Sequence, residues 1–358
     1  MFELSKLVRS NIKNLKPYSS ARHEFTGDAN VFLDANENSF GSPLSSSGID
    51  RSEKVFNRYP DPMQEELKGK ISLIKGVPSH NIFLGNGSDE AIDVLYRAFC
   101  NPGNDNVIIV PPTYGMYEVS ANINDVEVRK VNLTLEFQLD VEKISEAVDE
   151  NTKIIWICSP NNPTGNSLKR EDIEIVLNNF EGIVVVDEAY INYSKQRSFI
   201  SELTEYPNLV VLQTFSKAWG LAGVRVGMLF ASEAIVEVMN KIKPPYNIGL
   251  PAQEIALKAL DNLEQVNAWI KTTVAERDKL ISSLGQIGCV KKIYPSDANF
   301  LLVKVVDAKG VYDFLTKNGI VVRDRSKVEL CEGCLRITIG TPEENRTVFE
   351  ILNKWNGA

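Results

Sequence analysis

One stretch of the chain, residues 213–227, brings together side chains whose chemistry could serve a single purpose. It reads QTFSKAWGLAGVRVG and follows an apolar run typical of a buried strand. Lys217 offers an amine that can form a Schiff base with an aldehyde when its pKa is lowered. Thr214, Ser216 and Arg225 offer two hydroxyls and a guanidinium, a set of donors that suits one phosphate group. An amine beside a set of phosphate-binding donors suggests pyridoxal 5'-phosphate (PLP), which carries both an aldehyde and a phosphate.

Four further side chains could complete such a site. Asp187 ends an apolar run, and a carboxylate held there could face the pyridine nitrogen of PLP and keep it protonated. Asn162 and Tyr190 could donate hydrogen bonds to the ring oxygen, and Tyr114, at the start of a helical segment, could stack on the ring face. Lys217, once displaced by a substrate amine, would be a free base beside the reacting carbon. Each residue also has an ordinary interpretation, as a turn acid, a turn former or a core aromatic.

A second phosphate-binding element is predicted near residue 88. A short strand over residues 82–84 precedes Gly85-Asn86-Gly87, and an amphipathic helix then begins with Ser88 and Asp89. A helix start of this kind aims backbone N–H groups at a phosphate. The alternative is that Ser88 is only the N-cap of an ordinary helix.

Apolar runs alternate with amphipathic segments over most of the chain, which predicts an α/β fold. The runs occur at residues 82–84, 107–110, 126–131, 154–158, 182–187, 209–212 and 224–230. Because most of them are continuously apolar, we expect a large domain with a mostly parallel central sheet covered by helices on both faces. Ligands bind such sheets at the carboxyl ends of the strands, where the polar side chains described above fall.

The last third of the sequence predicts a smaller α+β domain. A long helical region runs from about Pro251 to Leu284, followed by strands at 290–294, 300–306 and 335–339 and helices at 311–317 and 343–355. We therefore expect an N-terminal arm or lid over residues 1–48, a large cofactor-binding domain over residues 49–250, and an interdomain helix with the small domain over residues 251–358.

Composition narrows the possible partners. The formal charge of −8 argues against nucleic acid or an anionic membrane surface as the main partner. We expect no membrane span and a cytoplasmic location, because no apolar run approaches the roughly 20 residues that a span needs. The five cysteines include one CxxC pair, Cys331 and Cys334, without a second pair, so no metal site is expected. With only two histidines, a Ser-His-Asp hydrolase is disfavoured.

Three motifs together resemble the fold-type I PLP-dependent aminotransferases: SPNNPTG (159–165), VVVDEAY (184–190) and TFSKAWGLAGVRVG (214–227). Their spacing agrees, since 25 residues separate Asn162 from Asp187 and 30 separate Asp187 from Lys217. The resemblance implies that Lys217 binds PLP, that Asp187 pairs with the pyridine nitrogen, and that Asn162 and Tyr190 contact the ring oxygen. It also implies stacking by Tyr114 and a phosphate cup formed by the backbone amides of Ser88 and Asp89 with Thr214, Ser216 and Arg225.

Further stretches, including LDANENSFG (33–41), RYPDP (58–62), VVRDRS (321–326) and CLRITIGT (334–341), resemble one subfamily of that group. Its members exchange an amino group between L-histidinol phosphate and 2-oxoglutarate, giving glutamate. By this resemblance Arg323 and Arg336 grip the anionic groups of the substrates. Tyr18 and Asn36 would lie at the substrate mouth, with the N-terminal arm as a lid. Tyr59 would reach the cofactor phosphate of the neighbouring subunit in a homodimer.

Two residues depart from this pattern, and three alternatives stay open. The family often has alanine where Ser88 stands, and Arg325 is an extra basic residue beside Arg323. An aromatic amino acid aminotransferase would share every residue that binds PLP. A lyase resembling threonine-phosphate decarboxylase would also bind an amino phosphate. A PLP-sensing regulator would need a DNA-binding segment, which the first 48 residues do not offer.

Overall fold

The fold comprises two sheets with helices packed against them. The computed structural model describes residues 2–17, 33–42 and 56–356. Within these ranges one sheet has seven strands and the other has four. The predicted α/β class, with a mostly parallel central sheet and a smaller α+β unit, is confirmed.

The larger sheet holds all seven apolar runs found in the sequence. Its strands are β1 Ile82–Asn86, β2 Asn106–Ile109, β3 Glu127–Lys130, β4 Thr152–Cys158, β5 Ile183–Asp187, β6 Leu209–Thr214 and β7 Val226–Ala231. The strand order is β1-β7-β6-β5-β4-β2-β3. Neighbouring strands are parallel except where β7 pairs with β1 and β6. The carboxyl ends of β4, β5 and β6 therefore meet at one edge of the sheet.

Helices cover both faces of this sheet and flank the smaller one. They are α1 Leu4–Leu7, α2 Ser10–Lys13, α3 Glu65–Lys75, α4 Ser88–Phe99, α5 Met116–Ile123, α6 Val141–Ala147, α7 Arg170–Asn179, α8 Glu233–Ile242, α9 Leu250–Leu260, α10 Leu263–Leu284, α11 Ala308–Lys317 and α12 Pro342–Leu352. Short 3₁₀ turns lie at Ser79–Asn81, Ile191–Tyr193, Phe199–Glu202 and Ala222–Val224.

The central strands show why continuous apolar runs form this sheet. Every residue of β5 is buried. Val184 and Val186 pack into one hydrophobic core, while Ile183 and Val185 pack into another. Side chains alternate across a strand, so a strand covered on both faces must be apolar at every position. Asp187 is the polar residue that ends this run, and its position at the strand end sets where it can act.

The smaller sheet is antiparallel and carries two of the predicted site residues. Its strands are β8 Val290–Ile293, β9 Phe300–Val305, β10 Arg323–Asp324 and β11 Cys334–Thr338, in the order β10-β11-β9-β8. Leu301, Val303 and Leu335 pack into a third core with helices α10 to α12, whereas Leu302 and Cys334 join the core of the larger sheet. One face of the smaller sheet is thus fixed against the larger unit. Arg323 and Arg336 are Cα partners across β10 and β11.

Two details differ from the sequence predictions. The long helical region is two helices, because α9 ends at Leu260, with Asp261 as its C-cap residue, and α10 begins at Leu263, with Asn262 as its N-cap residue. Asp and Asn favour helix ends, since their side chains compete for backbone hydrogen bonds. The two-residue strand β10 was not predicted, because a pair of charged residues carries no strand pattern.

The start of the chain packs on the larger unit. Val8 and Ile12 join one core of the larger sheet, and the Arg9 guanidinium donates to the carbonyl of Arg97 at 2.9 Å. The domain boundaries at residues 48 and 250, and the role of the arm as a lid, stay predictions. In the part of the chain that the structure describes, no helix is both long and apolar enough to cross a bilayer. No group of three His, Cys, Asp or Glu residues placed to hold a metal occurs there either.

Candidate active site

A cavity of about 960 Å³ lies at the carboxyl ends of the central strands. Most of the site residues predicted from the sequence line it: Ser88, Asp89, Tyr114, Asn162, Asp187, Tyr190, Thr214, Ser216, Lys217, Arg225, Arg323 and Arg336. Parallel strands explain this convergence, because residues far apart in sequence follow strands that end at the same sheet edge. The smaller sheet supplies the two predicted arginines from the opposite wall.

Asp187 presents a buried carboxylate to this cavity. Its side chain is 4% exposed. The Tyr117 hydroxyl donates to Oδ2 at 2.6 Å, and the backbone N–H of Ala189 donates to Oδ1 at 3.0 Å. Burial raises the pKa of Asp187, and these two hydrogen bonds oppose that rise by favouring the ionised form. The carboxylate is thus held in a fixed orientation and would gain from a cationic partner in the cavity.

Lys217 places an amine in the same cavity, about 5.5 Å from the centre of the Tyr190 ring. Desolvation by the surrounding protein lowers the pKa of Lys217, and the nearby positive charge of Arg336 lowers it further. Among the described residues, no acceptor lies within hydrogen-bond or ion-pair distance of the amine. A lowered pKa increases the neutral fraction of the amine, which is the form that can attack a carbonyl group.

Several hydrogen-bond donors converge at the start of α4. The N-cap position, Gly87, supplies no side-chain cap, so the N–H groups of the first turn, at Ser88 and Asp89, face the cavity without a capping acceptor. A Cβ atom at Gly87 would lie 2.3 Å from Nη2 of Arg225. A side chain at this position would displace the guanidinium from the helix start, and the φ of 73° at Gly87 also favours glycine. Arg225 itself has a φ of 58°, a strained backbone conformation for a non-glycine residue.

Thr214 and Ser216 add two hydroxyl groups to these donors. The Thr214 hydroxyl donates to that of Ser216 at 3.0 Å and accepts from the backbone N–H of Ser216 at 3.0 Å. Thr214 pairs with Gly227 of β7. Gly227 lies against the start of α4, since a Cβ atom there would be 2.4 Å from the backbone nitrogen of Ser88. The two hydroxyls are therefore close to the start of α4. Backbone amides, two hydroxyls and a guanidinium form an anion site of the kind that holds a phosphate.

Asn162 and Arg336 contact each other directly. Nη1 of Arg336 donates to Oδ1 of Asn162 at 2.5 Å. Because this contact engages the carbonyl oxygen, the amide nitrogen of Asn162 is the group that can donate into the cavity. Phe300 of β9 packs against two residues of the site. The Arg336 guanidinium lies 5.2 Å from the centre of the Phe300 ring, and the Tyr190 ring packs edge-on against it with ring centres 5.1 Å apart. Residues from the two sheets are thereby joined at the site.

Tyr114 lines the cavity beside the phosphate-type donors. Its hydroxyl donates to Oδ1 of Asp89 at 3.0 Å, and its ring meets the Tyr117 ring edge-on at 5.6 Å. Asp89 also lies 3.6 Å from the Arg225 guanidinium. These contacts fix the Tyr114 ring at the cavity wall, where it can cover the face of a planar ligand.

Two predicted residues do not line the cavity, and a third is not among the described residues. Tyr59 stacks on Tyr246 with ring centres 4.4 Å apart and does not line the cavity. Asn36, with a φ of 54°, does not line it either. Tyr18 lies outside the described residues. The roles predicted for these three residues are not tested by the geometry of one chain.

Comparison with known proteins places the chain in a family. The model of the family "Aminotransferase class I and II" matches residues 30–352. This chain belongs to that aminotransferase family. Two relatives, both histidinol-phosphate aminotransferases, come from Parabacteroides distasonis and Cytophaga hutchinsonii. The first is 54% identical, covering 98% of this chain and 99% of the relative, and the second is 52% identical, covering 99% of each.

A solved structure of a histidinol-phosphate aminotransferase is also similar to this chain. The histidinol-phosphate aminotransferase from Clostridium acetobutylicum matches with a TM-score of 0.77 and 25% identity, covering 83% of this chain and 90% of that one. The match thus covers most of both chains. The fold predicted from the sequence and the family membership therefore agree.

The residues of this aminotransferase site fit PLP as their cofactor. The anion site formed by the α4 start, Thr214, Ser216 and Arg225 suits its phosphate. The buried Asp187 carboxylate, whose pKa burial raises, suits a partner that bears a proton, as a pyridine nitrogen does. Lys217 supplies an amine without another partner among the described residues. One cavity thus presents the three groups that the cofactor requires.

Tyr117 is a functional candidate that sequence reasoning missed. It is fully buried, stacks on Trp156 with ring centres 4.9 Å apart, and donates to Asp187. A tyrosine on the buried side of a helix resembles any core aromatic, and 70 residues separate it from Asp187. The only available signal was its polar hydroxyl, since a buried Tyr hydroxyl usually has a partner.

Glu188 is a buried acid next to Asp187 in the sequence, but it does not line the cavity. Its carboxylate accepts hydrogen bonds from the backbone N–H of Phe199 at 2.7 Å and from the Gln213 amide at 2.9 Å. Gln213 in turn accepts from the Lys75 amine at 2.7 Å. This buried network ties the ends of β5 and β6 together and so fixes the positions of Asp187 and Thr214.

Replacing Tyr117 by Phe is expected to move the acidic limb of the pH–rate profile to higher pH. The hydroxyl lowers the pKa of Asp187, so its loss raises that pKa and the carboxylate protonates earlier as the pH falls. A hydrogen bond to a charged group contributes about 1.5–3 kcal/mol, which corresponds to about one pH unit or more.

The measurement is kcat/KM against pH, with Tyr96→Phe as the matched control. Tyr96 is also buried, and its hydroxyl donates to the carbonyl of Tyr117 at 2.8 Å, without contact to Asp187. The control should leave the acidic limb in place. An unshifted limb in Tyr117→Phe would show that the hydroxyl does not hold the carboxylate ionised.

Proposed function

We propose that this chain is a histidinol-phosphate aminotransferase of the cytoplasm, active in L-histidine biosynthesis. It would transfer an amino group reversibly between L-histidinol phosphate and 2-oxoglutarate, giving imidazole acetol phosphate and L-glutamate. Two relatives that match nearly the whole chain at more than half identity carry this activity in their names. The observation that carries the proposal is the pairing of Arg323 and Arg336 across β10 and β11 at the cavity that holds Lys217.

The charges of the substrates explain why this pairing matters. Histidinol phosphate bears a phosphate and no α-carboxylate, whereas glutamate bears two carboxylates. A guanidinium binds either kind of anion through two parallel hydrogen bonds. Two arginines in one cavity can therefore hold both substrates in turn, which a reaction with two half-reactions requires.

We assign the other site residues as the resemblance implies. Lys217, Asp187 and Tyr190 are catalytic. The cofactor contacts are Ser88, Asp89, Tyr114, Asn162, Asp187, Tyr190, Thr214, Ser216, Lys217 and Arg225, with Tyr59 contributing from the second subunit of a homodimer. The substrate contacts are Tyr18, Asn36, Arg323 and Arg336. The exposure of Tyr59, whose side chain is 51% exposed, supports a role outside its own subunit.

PLP, when bound, supplies an aldehyde for an amine and a ring that withdraws electrons from the substrate carbon. The protein provides the rest. Asp187 would hold a negative charge for the ring nitrogen, and Asn162 and Tyr190 would donate hydrogen bonds to the ring oxygen. Lys217, whose pKa is lowered, would accept the proton that leaves the substrate Cα and hold it within the cavity for the reverse transfer. The arginines hold the far end of the substrate so that the Cα proton faces this amine.

The proposal is tested with a panel of amino donors and the purified holoenzyme. L-Histidinol phosphate, L-phenylalanine, L-tyrosine and O-phospho-L-threonine are each supplied with 2-oxoglutarate, and glutamate formation is measured. We expect kcat/KM for histidinol phosphate to exceed that for phenylalanine by about 100-fold or more, since phenylalanine has no phosphate and its single carboxylate engages fewer charge-assisted hydrogen bonds from the arginines. Faster turnover of phenylalanine or tyrosine would contradict the assignment and favour an aromatic aminotransferase.

The arginine pair would also suit a lyase that acts on an amino phosphate, so the panel includes a test for it. Carbon dioxide release from O-phospho-L-threonine without 2-oxoglutarate would indicate a decarboxylase. We expect no such release. Glutamate formation that depends on histidinol phosphate would separate the two activities.

Replacing Arg336 by Gln is expected to weaken both half-reactions by about 100-fold in kcat/KM, because each charge-assisted hydrogen bond contributes roughly 1.5–3 kcal/mol. Both substrates are anionic and both need this residue. The measurement is a separate rate for histidinol phosphate and for 2-oxoglutarate. A loss confined to one substrate would show that the other anion binds elsewhere.

The same variant should also change a pH dependence. The positive charge of Arg336 lowers the pKa of Lys217, so its removal raises that pKa and keeps the amine protonated up to a higher pH. The pH profile of PLP capture by the apoprotein should therefore move to higher pH. Arg336→Lys, which keeps the charge but loses the forked geometry, should leave this profile unchanged.

A further inference from the structure

Three arginines line the cavity from the smaller sheet: Arg323, Arg325 and Arg336, called the arginine face below. Arg323 and Arg336 are Cα partners, and the backbone N–H of Arg325 donates to the carbonyl of Cys334 at 2.9 Å. The antiparallel pairing thus continues to Arg325, which lies opposite Cys334. Side chains two residues apart on a strand point to the same face of the sheet. Arg325 is therefore on the same face as Arg323 and Arg336.

The cavity offers no anion of its own to this face. Each acidic side chain that lines the cavity has another partner: Glu118 pairs with Lys130, Glu329 accepts from Asn132, Asp89 accepts from Tyr114 and Asp187 accepts from Tyr117. Within residues 2–17, 33–42 and 56–356, no carboxylate lies within ion-pair distance of the arginine face. Three neighbouring cations without a carboxylate create a strongly positive wall.

Arg325 has a buried donor atom, Nε, that no acceptor within the protein satisfies, among the described residues. Burial lowers the pKa of Arg325, and the charges of Arg336 and Arg323 lower it further. A buried polar or charged group without a partner is costly, so a ligand that supplies acceptors at this point would be bound strongly.

The two substrates differ in how many cations they can use. A carboxylate has one charge and is satisfied by one forked guanidinium. A phosphate monoester has between one and two charges at neutral pH and three acceptor oxygens, so it can engage two or three guanidinium groups. Arg336 bonds to Asn162 on the large-domain side of the cavity, whereas Arg325 lies one position further along the sheet.

We propose that Arg325, with Arg323, binds the phosphate group of the amino donor and thereby sets the preference for a phosphorylated donor over a carboxylate donor. This inference rests on the proposed function and deepens it. Arg336 serves both half-reactions, while Arg325 serves only the phosphorylated substrate. Arg325 is thus a specificity residue rather than a general anchor for anions.

The test compares Arg325→Gln with the unmodified holoenzyme in separate half-reactions. We expect kcat/KM for L-histidinol phosphate to fall by about 10- to 100-fold, as loss of one charge-assisted contact predicts. The value for L-glutamate should change by less than about threefold, because its carboxylates do not use Arg325. Arg325→Lys, which keeps the charge, should recover part of the loss.

Arg346→Gln is the matched control, because it makes the same change at an exposed position on α12, away from the cavity. It should leave both half-reactions unchanged. Equal losses for both donors in Arg325→Gln would indicate a structural role and overturn the proposal. Unchanged use of histidinol phosphate would overturn it as well.

Inorganic phosphate separates this inference from the proposed function. It is expected to inhibit the glutamate half-reaction of the holoenzyme by occupying the arginine face, with an inhibition constant raised about 10-fold or more in Arg325→Gln. If the unmodified enzyme fails to use histidinol phosphate, the proposed function falls, and phosphate inhibition alone decides the role of Arg325. An inhibition constant that is the same in Arg325→Gln and in the unmodified enzyme would overturn the role.

Discussion

Lys217→Ala is expected to reduce transamination by at least about 10⁴-fold, because the substitution removes both a nucleophilic amine and the base that moves the Cα proton. No other lysine lies beside Asp187 and Tyr190 at this cavity, within the part of the chain that the structure describes. The measurement is the rate of glutamate formation from histidinol phosphate and 2-oxoglutarate. Binding of PLP should weaken at the same time, since the covalent contact is lost.

Lys195→Ala provides the control for this variant. Lys195 is exposed and does not line the cavity, so its loss should leave turnover unchanged. Circular dichroism should show both variants folded, because the Lys217 side chain makes no hydrogen bond with the described residues, and its backbone bond to Gly220 is kept in the variant. Turnover by Lys217→Ala within a factor of about ten of the unmodified enzyme would remove the lysine from the mechanism.

Asp187→Asn is expected to lower kcat by about 10²- to 10³-fold, as removal of one fixed electrostatic partner does in other active sites. The amide keeps the shape of the side chain but cannot hold a negative charge opposite the ring nitrogen. That nitrogen would then lose its proton, and the ring would withdraw electrons less strongly. The KM for histidinol phosphate should change little, because the substrate phosphate binds at the arginine face.

Glu188→Gln gives the matched comparison. It is the neighbouring acid, also buried, but its carboxylate contacts Phe199 and Gln213 and not the cavity. It should reduce stability rather than the rate of the chemical step, since it weakens hydrogen bonds that join β5 and β6. Equal effects of the two variants on kcat, at equal stability, would contradict a direct electrostatic role for Asp187.

The strands of the larger sheet could be located from the sequence because their pattern leaves few alternatives. Runs such as Ile183 to Val186 are buried on both faces and so are apolar at each position. The polar residue that ends each run then lies at the sheet edge where ligands bind. The pattern therefore predicts that Asp187, Thr214 and Lys217 lie near one another, and the structure brings them to one cavity.

The remaining features depend on contacts that a linear pattern does not contain. Tyr117 meets Asp187 only after α5 packs against the sheet. Arg325 lines the cavity because β10 pairs with β11, and that strand is only two residues long. Such short pairings are fixed by tertiary packing rather than by local preference.

The measurement that tests the central claim most directly is the identity of the lysine that binds the cofactor. Holoenzyme is treated with borohydride, which fixes PLP on the amine it occupies, and the peptides are then mapped by mass spectrometry. We predict that the reduced cofactor is found on the peptide containing Lys217 and on no other. Its presence on Lys130 or Lys327, which line the same cavity, or on no lysine at all, would contradict the account.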